Sequence, residues 1–360
     1  MASPPDIAGL RLHAQQLAEP ACETPAEVVA RLGAVQSQDF AAAKWAVGQR
    51  MPAGADADIQ RAFDAGAILR THVMRPTWHF ILPADIRWMQ MLTAPRVRAL
   101  LAYYDRKLEL DRPEMKRSKD AIVRALEGGK HLTRPEMSKA LARAGIVTES
   151  GQRVGHILMH AELDALICSG AQRGKQQTYA LVAERAPQAT TLSRDEALAT
   201  LTERYFTGHG PATVKDYAWW SGLTTADAQA GLDLVKHRLA HESLDGKAHW
   251  RATSAAPQMQ PVARAYLLPN FDEFTVGYAD RSTLYHPRHA TTFDPPMNQL
   301  GNVMVLGSQL VGMWKRSLSR AAVTVTLRPA SALADAERLL FLQAAQRYGD
   351  FLGLSAVVEG

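Results

Sequence analysis

Residues 213–253 read TVKDYAWWSGLTTADAQAGLDLVKHRLAHESLDGKAHWRAT, and this segment carries the clearest structural signal in the chain. Thr213 and Thr224 are each followed three residues later by an aspartate, a pattern that caps helix N-termini. Gly222 ends the first helix, and Asp245-Gly246 joins two strand-like runs as a hairpin turn would. Helix, tight turn, helix and hairpin in this order predict a winged helix-turn-helix.

The same order of elements is predicted twice more, upstream of this segment. Thr133 opens a helix, a break follows at 146–150, and residues 152–168 read as one second helix with an apolar stripe. A glycine-containing tip at 169–177 leads to a returning strand at 178–183. At the N-terminus, predicted helices at Pro25–Gly33, Phe40–Gln49 and Asp56–Ala65 precede two strand runs that turn at Arg75-Pro76.

The C-terminal third changes character. Residues 266–281, 302–316 and 321–329 are β-rich, and a closing helix at Ala332–Leu354 is expected to turn Leu339, Leu340 and Leu342 inward. The predicted fold class is therefore α+β: tandem winged helix-turn-helix units followed by a C-terminal β-rich, barrel-like region with a closing helix.

The predicted elements suggest four successive parts of the chain. We expect a first winged-helix unit at 1–85, which includes a Gln-x-Gln motif, and a basic helical connector with the second unit at 86–190. The third winged-helix unit would occupy 191–256, and the β-rich region with its helix 257–360.

The composition is that of a globular protein with a substantial core. Of 360 residues, 47% are hydrophobic and 21% are charged, which excludes a mainly disordered chain. No run approaches the roughly 18 apolar residues of a membrane span. The N-terminal sequence lacks the apolar core of a signal peptide, and Cys22 and Cys168 are too few for a disulfide framework. We therefore expect a cytoplasmic protein with no membrane partner.

Positive charge is concentrated in one stretch. Between Arg96 and Arg143 there are 13 Lys or Arg residues and seven Asp or Glu, whereas the remainder of the chain holds 28 basic and 29 acidic residues. Such asymmetry is typical of a surface that faces a polyanion. From composition alone, a solvated helical face is the more common explanation.

Most motifs of catalysis and cofactor binding are absent, including glycine-rich phosphate loops and GxSxG. His156 and His160, spaced i, i+4, would share one helical face as metal ligands do, but no third ligand is apparent and packing is the more common role. His286 and His289 flank a loop-like Pro-Arg pair, and a functional site is equally unexpected there. We therefore expect neither a metal nor a cofactor.

One short motif remains, Gln36-Ser37-Gln38, followed by Asp39. On extended or turn backbone, residues i and i+2 project to the same side, and Gly33 just upstream fits a helix boundary. A glutamine amide donates and accepts hydrogen bonds, so it can orient a water molecule without titrating. Two surface glutamines at the start of a helix are the commoner explanation of this pattern.

Three segments together resemble the AlkZ/YcaQ family of winged-helix DNA glycosylases. Gln36-Ser37-Gln38 is similar to the family's Gln-hydrophobic-Gln catalytic motif, and residues 70–79 (RTHVMRPTWH) are similar to its Arg-x-Thr-x-His strand pair. Residues 267–281 (LLPNFDEFTVGYADR) are similar to its Leu-Pro-x-Phe-Asp…Gly…Asp-Arg segment. Ser37 is polar where the family usually has an apolar residue, and Gln38, where the YcaQ branch has aspartate, favours the AlkZ branch.

The resemblance implies a monofunctional DNA glycosylase that hydrolyses the N-glycosidic bond of alkylated purines, with bulky adducts and interstrand crosslinks as candidate substrates. Gln38 would orient the water and Gln36 would support it. The candidate supporting residues are Asp39, Asn270 and Asp272. The partner would be double-stranded DNA carrying alkylated bases, and we expect a nucleoid-associated monomer without cofactor.

Candidate DNA contacts lie in two places. In the first hairpin they are Arg70, His72, Arg75, Thr77 and His79, and in the basic stretch they are Lys116, Arg117 and Lys119. Strand alternation, with Val73 and Trp78 pointing inward, explains the hairpin pattern equally well. Because phosphate contacts supply much of the affinity for DNA, the basic stretch is a candidate track for its backbone beside the glutamine pair.

A second class of function fits the same elements, namely a non-catalytic winged-helix DNA-binding protein such as a regulator. A regulator of this kind is usually a dimer that reads two half-sites, and the sequence shows no heptad run that would build one. Lys44 is the one lysine near the glutamine motif, so an enzyme built on this motif is expected to lack a Schiff-base step.

Overall fold

A computed structural model describes residues 6–244, 246–253, 264–285 and 301–360. Asp245, His286 and His289 lie outside the described residues. The helices are α1 (Ile7–Ala14), α2 (Pro25–Leu32), α3 (Phe40–Gly48), α4 (Asp56–Ala65), α5 (Ile86–Lys107), α6 (Arg112–Leu126), α7 (Arg134–Arg143), α8 (Gly151–Leu163), α9 (Val182–Arg185), α10 (Arg194–His209), α11 (Val214–Ser221), α12 (Thr225–Val235), α13 (Glu273–Val276) and α14 (Asp335–Leu352).

The strands are β1 (Val35–Gln36), β2 (Leu69–His72), β3 (Trp78–Ile81), β4 (Leu132–Thr133), β5 (Ile167–Ser169), β6 (Thr178–Leu181), β7 (Leu239–Leu244), β8 (Lys247–Ala252), β9 (Ala265–Leu268), β10 (Val303–Leu306), β11 (Gln309–Leu318), β12 (Ala322–Pro329) and β13 (Ser355–Glu359). The strands of the three predicted hairpin regions are observed, and the short strands β1, β4 and β5 were not predicted. Together with the helices they make a mixed α+β protein.

The chain divides into two compact units. The first combines Met1–Gln60, Ala199–Trp220 and Thr225–Gly360, and the second combines Arg61–Leu198 and Ser221–Thr224. The division falls within α4. The four parts expected from the sequence describe a succession of elements along the chain, and their boundaries stay predictions.

The first unit is built on an open five-stranded sheet in the order β13-β12-β11-β10-β9. Its strands are antiparallel except for the parallel pair β12 and β13. Helix α14 packs against β9 and β13, the two edge strands, so the sheet is a half-barrel with a helix against it. Leu12 of α1 lies in the core beside Phe274 and Leu310. The prediction of a C-terminal β-rich region with a closing helix is confirmed.

The segment 266–281 is less extended than predicted. Strand β9 ends at Leu268, and Pro269, which has no N–H to donate to a strand partner, follows it. The Asp272 carboxylate then accepts a hydrogen bond from the Phe274 N–H at 2.9 Å and starts the one-turn helix α13. This helix replaces the β-structure expected there, because a side-chain cap satisfies its first free N–H group.

The buried face of α14 also differs from the prediction. Leu339 and Leu342 are exposed, and the helix instead buries Phe341, Ala344, Ala345 and Tyr348. The Tyr348 ring lies 5.3 Å from the Trp314 ring of the sheet. The prediction followed the leucines, whereas the observed orientation puts an aromatic ring and two small residues against the sheet, where they pack closely.

Helix α3 is held in the first unit by aromatic packing. The Trp45 ring lies 5.0 Å from Tyr348 and 4.9 Å from Phe351, both in α14. The Trp45 Nε1–H donates a hydrogen bond to the main-chain oxygen of Leu267 at 2.8 Å. Because α3 begins directly after the Gln-x-Gln motif, these contacts position the motif against α14 and β9.

The second unit contains the hairpin β2–β3, the three-stranded sheet β4-β6-β5 and helices α5 to α9. Helices α6, α7 and α8 share a core that includes Ile122, Met137 and Ile157. Helix α7 begins at the predicted capping box, in which the Thr133 N–H donates to Glu136 at 2.7 Å.

Helix α8 is shorter than predicted. It ends at Leu163, and Ala165 adopts a left-handed φ of 52°, which a continuing helix cannot contain. The chain then forms β5, which pairs with β6. The apolar residue Ile167 is therefore buried as part of a strand and not as part of the helical stripe.

The predicted hairpin near the end of the opening segment is present. Strands β7 and β8 pair in antiparallel register, with Leu244 opposite Lys247. Helices α11 and α12 precede it, so the predicted order of helix, helix and hairpin is observed. Among the described residues, no helix is both long and apolar enough to cross a membrane.

Candidate active site around the glutamine motif

The Gln-x-Gln motif lies on the short connection between α2 and α3 in the first unit. Helix α2 ends at Gly33, whose φ of 77° favours glycine. Gln36 and Ser37 are buried and Gln38 is exposed, all three on non-helical backbone as predicted. Asp39 starts α3 by accepting a hydrogen bond from the Ala42 N–H at 3.1 Å. The Gln38 residue is therefore presented to solvent at the start of a well-held helix.

The main chain of the motif is bound to a buried carboxylate. Glu273 is fully buried, and its Oε1 accepts a hydrogen bond from the Gln36 N–H at 2.8 Å. Its Oε2 accepts one from the Trp220 Nε1–H at 2.8 Å and lies 3.3 Å from His209 Nε2. A carboxylate deprived of water needs such donors, so the motif and two aromatic side chains satisfy Glu273 together.

His209 is buried and stacks on an aromatic ring. Burial lowers its pKa, and the adjacent Glu273 carboxylate opposes that shift. Its ring lies 4.8 Å from the Tyr205 ring and nearly parallel to it. A neutral imidazole can still donate its Nε2–H to Glu273, which supports the carboxylate without adding a second buried charge.

Asp272, one of the candidate supporting residues, lies in a buried ion pair. Its two carboxylate oxygens accept hydrogen bonds from Arg50 at 2.9 and 3.0 Å, and both side chains are buried. Arg50 also donates to the side-chain oxygen of Gln15 at 2.7 Å. Asp272 therefore precedes Glu273 in the chain, and its oxygens bind Arg50 and the start of α13.

The other two supporting candidates are more accessible. One Asp39 oxygen caps α3, and the other lies 3.9 Å from Arg316. Asn270 is partly exposed, and its main-chain N–H donates to the Asn302 side chain at 2.9 Å. The structure thus groups Gln38 with Asp39 at the start of α3, whereas Gln36 contacts the segment that contains Asp272.

The hairpin residues lie in the second unit and do not follow simple strand alternation. His72 is buried, its Nδ1 bonds to the Glu162 carboxylate, and its ring lies 4.2 Å from the Trp78 ring. The Arg70 guanidinium lies 4.4 Å from the same indole ring. His79 is also buried, whereas Arg75 and Thr77 are partly exposed. Arg70 and Arg75 are therefore the more accessible of the predicted DNA contacts in the hairpin, whereas the Thr77 hydroxyl oxygen is buried.

The three basic candidates all lie in α6 and each has an acidic neighbour. Lys116 pairs with Asp120 at 2.8 Å, Arg117 pairs with Glu114, and Lys119 pairs with Asp164. The side chains of Lys116 and Arg117 are 78% and 64% exposed, against 21% for Lys119. Exposed ion pairs contribute little, so a phosphate can compete for the first two residues.

The histidine pair of α8 shares a carboxylate. His156 Nδ1 lies 3.3 Å from Asp105, and His160 Nε2 lies 3.0 Å from it, so both rings do face one side of the helix. In the part of the chain that the structure describes, no group of three or more His, Cys, Asp or Glu residues could hold a metal ion. The observed role of the pair is hydrogen bonding to Asp105.

Glu273, His209, Trp220 and Arg50 were not predicted as site residues from the sequence. Glu273 follows Asp272 inside the segment that carried the family resemblance, so its position was a usable signal. Gln36 and Glu273 are 237 residues apart, however, and no spacing rule predicts their contact. His209 and Trp220 read as ordinary helix residues.

Comparison with known proteins identifies the family of this chain. Residues 29–351 match the family of AlkZ-like DNA glycosylases. An interstrand DNA cross-link repair glycosylase from Streptomyces sahachiroi is 23% identical over 315 residues, which is 84% of this chain and 85% of that protein. The structure of the Streptomyces sahachiroi DNA glycosylase AlkZ aligns with a TM-score of 0.79 at 20% identity, over 99% of this chain and 100% of that one. Because the family match covers most of the chain and includes the Gln-x-Gln motif, the chain belongs to the AlkZ-like DNA glycosylase family.

Proposed function

We propose that this glycosylase hydrolyses the N-glycosidic bond of alkylated purines in double-stranded DNA, with Gln38 orienting the attacking water and Gln36 supporting it. One observation carries the proposal. The Gln38 residue is exposed at the start of α3, and the main chain of the same motif is hydrogen-bonded to the buried Glu273. A polar amide on a rigid, accessible segment is what the placement of a water molecule requires.

The chemistry suits amide groups. A purine alkylated at N7 or N3 is cationic and leaves readily, so a strong general acid is not needed. The enzyme must place a water molecule and stabilise a positively charged, oxocarbenium-like sugar. Preorganised dipoles can do both, and the Asp39 carboxylate beside Gln38 would offset part of the developing positive charge.

Two nucleophilic side chains of the first unit, Lys44 and Cys22, favour hydrolysis over a covalent intermediate. Lys44 is buried, and its Nζ binds Asp56 at 2.7 Å and Gln60 at 3.2 Å. Burial raises the pKa of the Cys22 thiol. An amine in an ion pair and a protonated, buried thiol are both poor nucleophiles, which supports a monofunctional enzyme.

We propose further that the groups of two helices and a hairpin act as winged helices that hold the duplex. Arg70 and Arg75 of the first hairpin, with Lys116 and Arg117 of α6, would contact phosphates, because these side chains are at least partly exposed. The Thr77 hydroxyl is buried and is not among these contacts. Crosslinked DNA is a second candidate substrate, since the Streptomyces sahachiroi relative is named for interstrand cross-link repair. The proposed enzyme is a cytoplasmic, nucleoid-associated monomer.

The test uses duplexes that each contain one 7-methylguanine, one 3-methyladenine or one interstrand crosslink, with enzyme in excess. The proposal expects free base and an abasic site that breaks only on alkali treatment, without a borohydride-trapped complex. Absence of base release from all three duplexes, together with tight sequence-specific binding, would instead favour the non-catalytic regulator.

A further inference from the structure

Glu273 binds the main chain of the glutamine motif and has no part in the chemistry proposed above. It is the first residue of α13, and its carboxylate is completely buried. One oxygen accepts the Gln36 N–H, and the other accepts the Trp220 indole N–H, both at 2.8 Å. Hydrogen bonds to an ionised carboxylate are among the strongest in proteins, so this contact restrains the motif more firmly than an ordinary strand bond would.

This hydrogen bond restrains the part of the main chain that sets the direction of the Gln36 side chain. The Gln36 N–H belongs to the planar peptide between Val35 and Gln36, so holding that N–H fixes the orientation of the peptide plane. The Gln36 side chain leaves the main chain at the next atom, and Gln38 follows two residues later. Without the hydrogen bond, both amides could therefore change direction.

The neighbouring residue holds the other end of the same helix. Arg50 follows the C-terminus of α3 and forms the buried ion pair with Asp272. Glu273 thus binds Gln36, which precedes α3, and the adjacent Asp272 binds Arg50, which follows α3. This arrangement fixes α3 and the motif as one body over the segment 272–273.

We propose that Glu273 is a positioning residue of the glycosylase reaction, which acts through the Gln36 main chain to hold Gln36 and Gln38 in their productive directions. This inference rests on the proposed function, in which those two amides place the water. His209 and Trp220 support Glu273, because their ring N–H groups donate hydrogen bonds to its second carboxylate oxygen.

The test compares Glu273→Gln with Thr178→Val in single-turnover base release, DNA binding and thermal unfolding. In Glu273→Gln an amide N–H must face the Trp220 or the Gln36 donor, so one hydrogen bond is removed. Thr178→Val removes a buried hydroxyl that donates to the main-chain oxygen of Ala171. Thr178 belongs to the second unit, whereas Glu273 and its partners belong to the first, so this variant controls for loss of stability alone.

We expect Glu273→Gln to slow the single-turnover rate at saturating enzyme by about tenfold or more, because misplacement of a reacting group by a fraction of an ångström has effects of this size. DNA affinity should change by less than about twofold, and Thr178→Val should retain the wild-type rate even if it melts earlier. A Glu273→Gln rate within about twofold of wild type would overturn the positioning role.

Two further measurements test the positioning role of Glu273 if Glu273→Gln does not fold. The Gln36 amide proton of the wild-type protein should exchange slowly with deuterium, and Trp220→Phe should speed that exchange and slow base release together. Rapid exchange of the Gln36 amide in the wild-type protein would overturn the proposal. A Gln38→Ala protein with full activity would instead overturn the proposed function, so the two failures are distinguishable.

Discussion

Three histidines with lowered pKa values determine how the stability of the protein responds to pH. His209 lies between Tyr205 and Trp220, and its ring nitrogen faces Glu273. Burial lowers its pKa, Glu273 opposes this shift and Arg50 reinforces it. Burial also lowers the pKa of His160 and of His131. These three histidines therefore favour their neutral forms in the folded protein.

We expect the protein to lose stability in mild acid. A histidine whose pKa is lower in the folded than in the unfolded state binds protons preferentially when unfolded, so stability falls as the pH drops below about 6.5. The urea midpoint should therefore be lower at about pH 5.5 than at about pH 7.5, and His209→Gln should remove part of this difference. His237→Gln, at an exposed position, is the control. A midpoint difference unchanged in His209→Gln would contradict this account.

At the scale of elements, segment 272–273 and the aromatic contacts of Trp45 together hold α3. The Arg50–Asp272 ion pair is buried on both sides, whereas Lys236 and Asp233 form an exposed pair at 2.9 Å. Removing one partner of a buried pair leaves an unpaired charge away from water, and the same change on the surface does not.

Asp272→Asn should therefore lower the free energy of unfolding by about 3 kcal/mol or more. Asp233→Asn, the same substitution in the exposed pair, should lower it by much less than Asp272→Asn does. Urea unfolding at neutral pH measures both. Equal effects of the two substitutions would show that the ion pair under α3 contributes no more than a surface pair.

The elements also show why some predictions succeeded and others failed. Helix starts such as Thr133 with Glu136, or Thr213 with Asp216, were predictable because the capping partners are three residues apart. The face of α14 was not, since its orientation depends on Trp45 and Trp314 from distant segments. For the same reason the motif was recognisable from residues 36–38, whereas its contact with Glu273 required the folded chain.

At the scale of the whole molecule, the excess of positive charge lies between Arg96 and Arg143, and the rest of the chain is close to neutral. The structure places this stretch on α5, α6 and α7 of the second unit. Two of its exposed members, Lys116 and Arg117, sit in surface ion pairs that salt weakens. A local and salt-sensitive contact with DNA fits this distribution better than binding by overall charge.

Charge reversal tests that contact. Replacing Lys116, Arg117 and Lys119 by glutamate should weaken DNA binding and flatten its salt dependence, by roughly 0.9 in log–log slope for each phosphate that is no longer neutralised. Arg338→Glu, on the exposed face of α14, is the control and should change neither. Unchanged affinity and slope in the triple variant would assign the stretch to an ordinary solvated surface.

The proposed reaction depends on the Gln38 amide, which places the water that hydrolyses the glycosidic bond. The most direct measurement is the single-turnover rate of 7-methylguanine release by wild-type, Gln38→Ala and Gln343→Ala proteins, the last altering an exposed glutamine of α14. Gln38→Ala should be slower by about a hundredfold or more with DNA binding nearly intact, and Gln343→Ala should match wild type. Base release by Gln38→Ala at the wild-type rate would contradict the account.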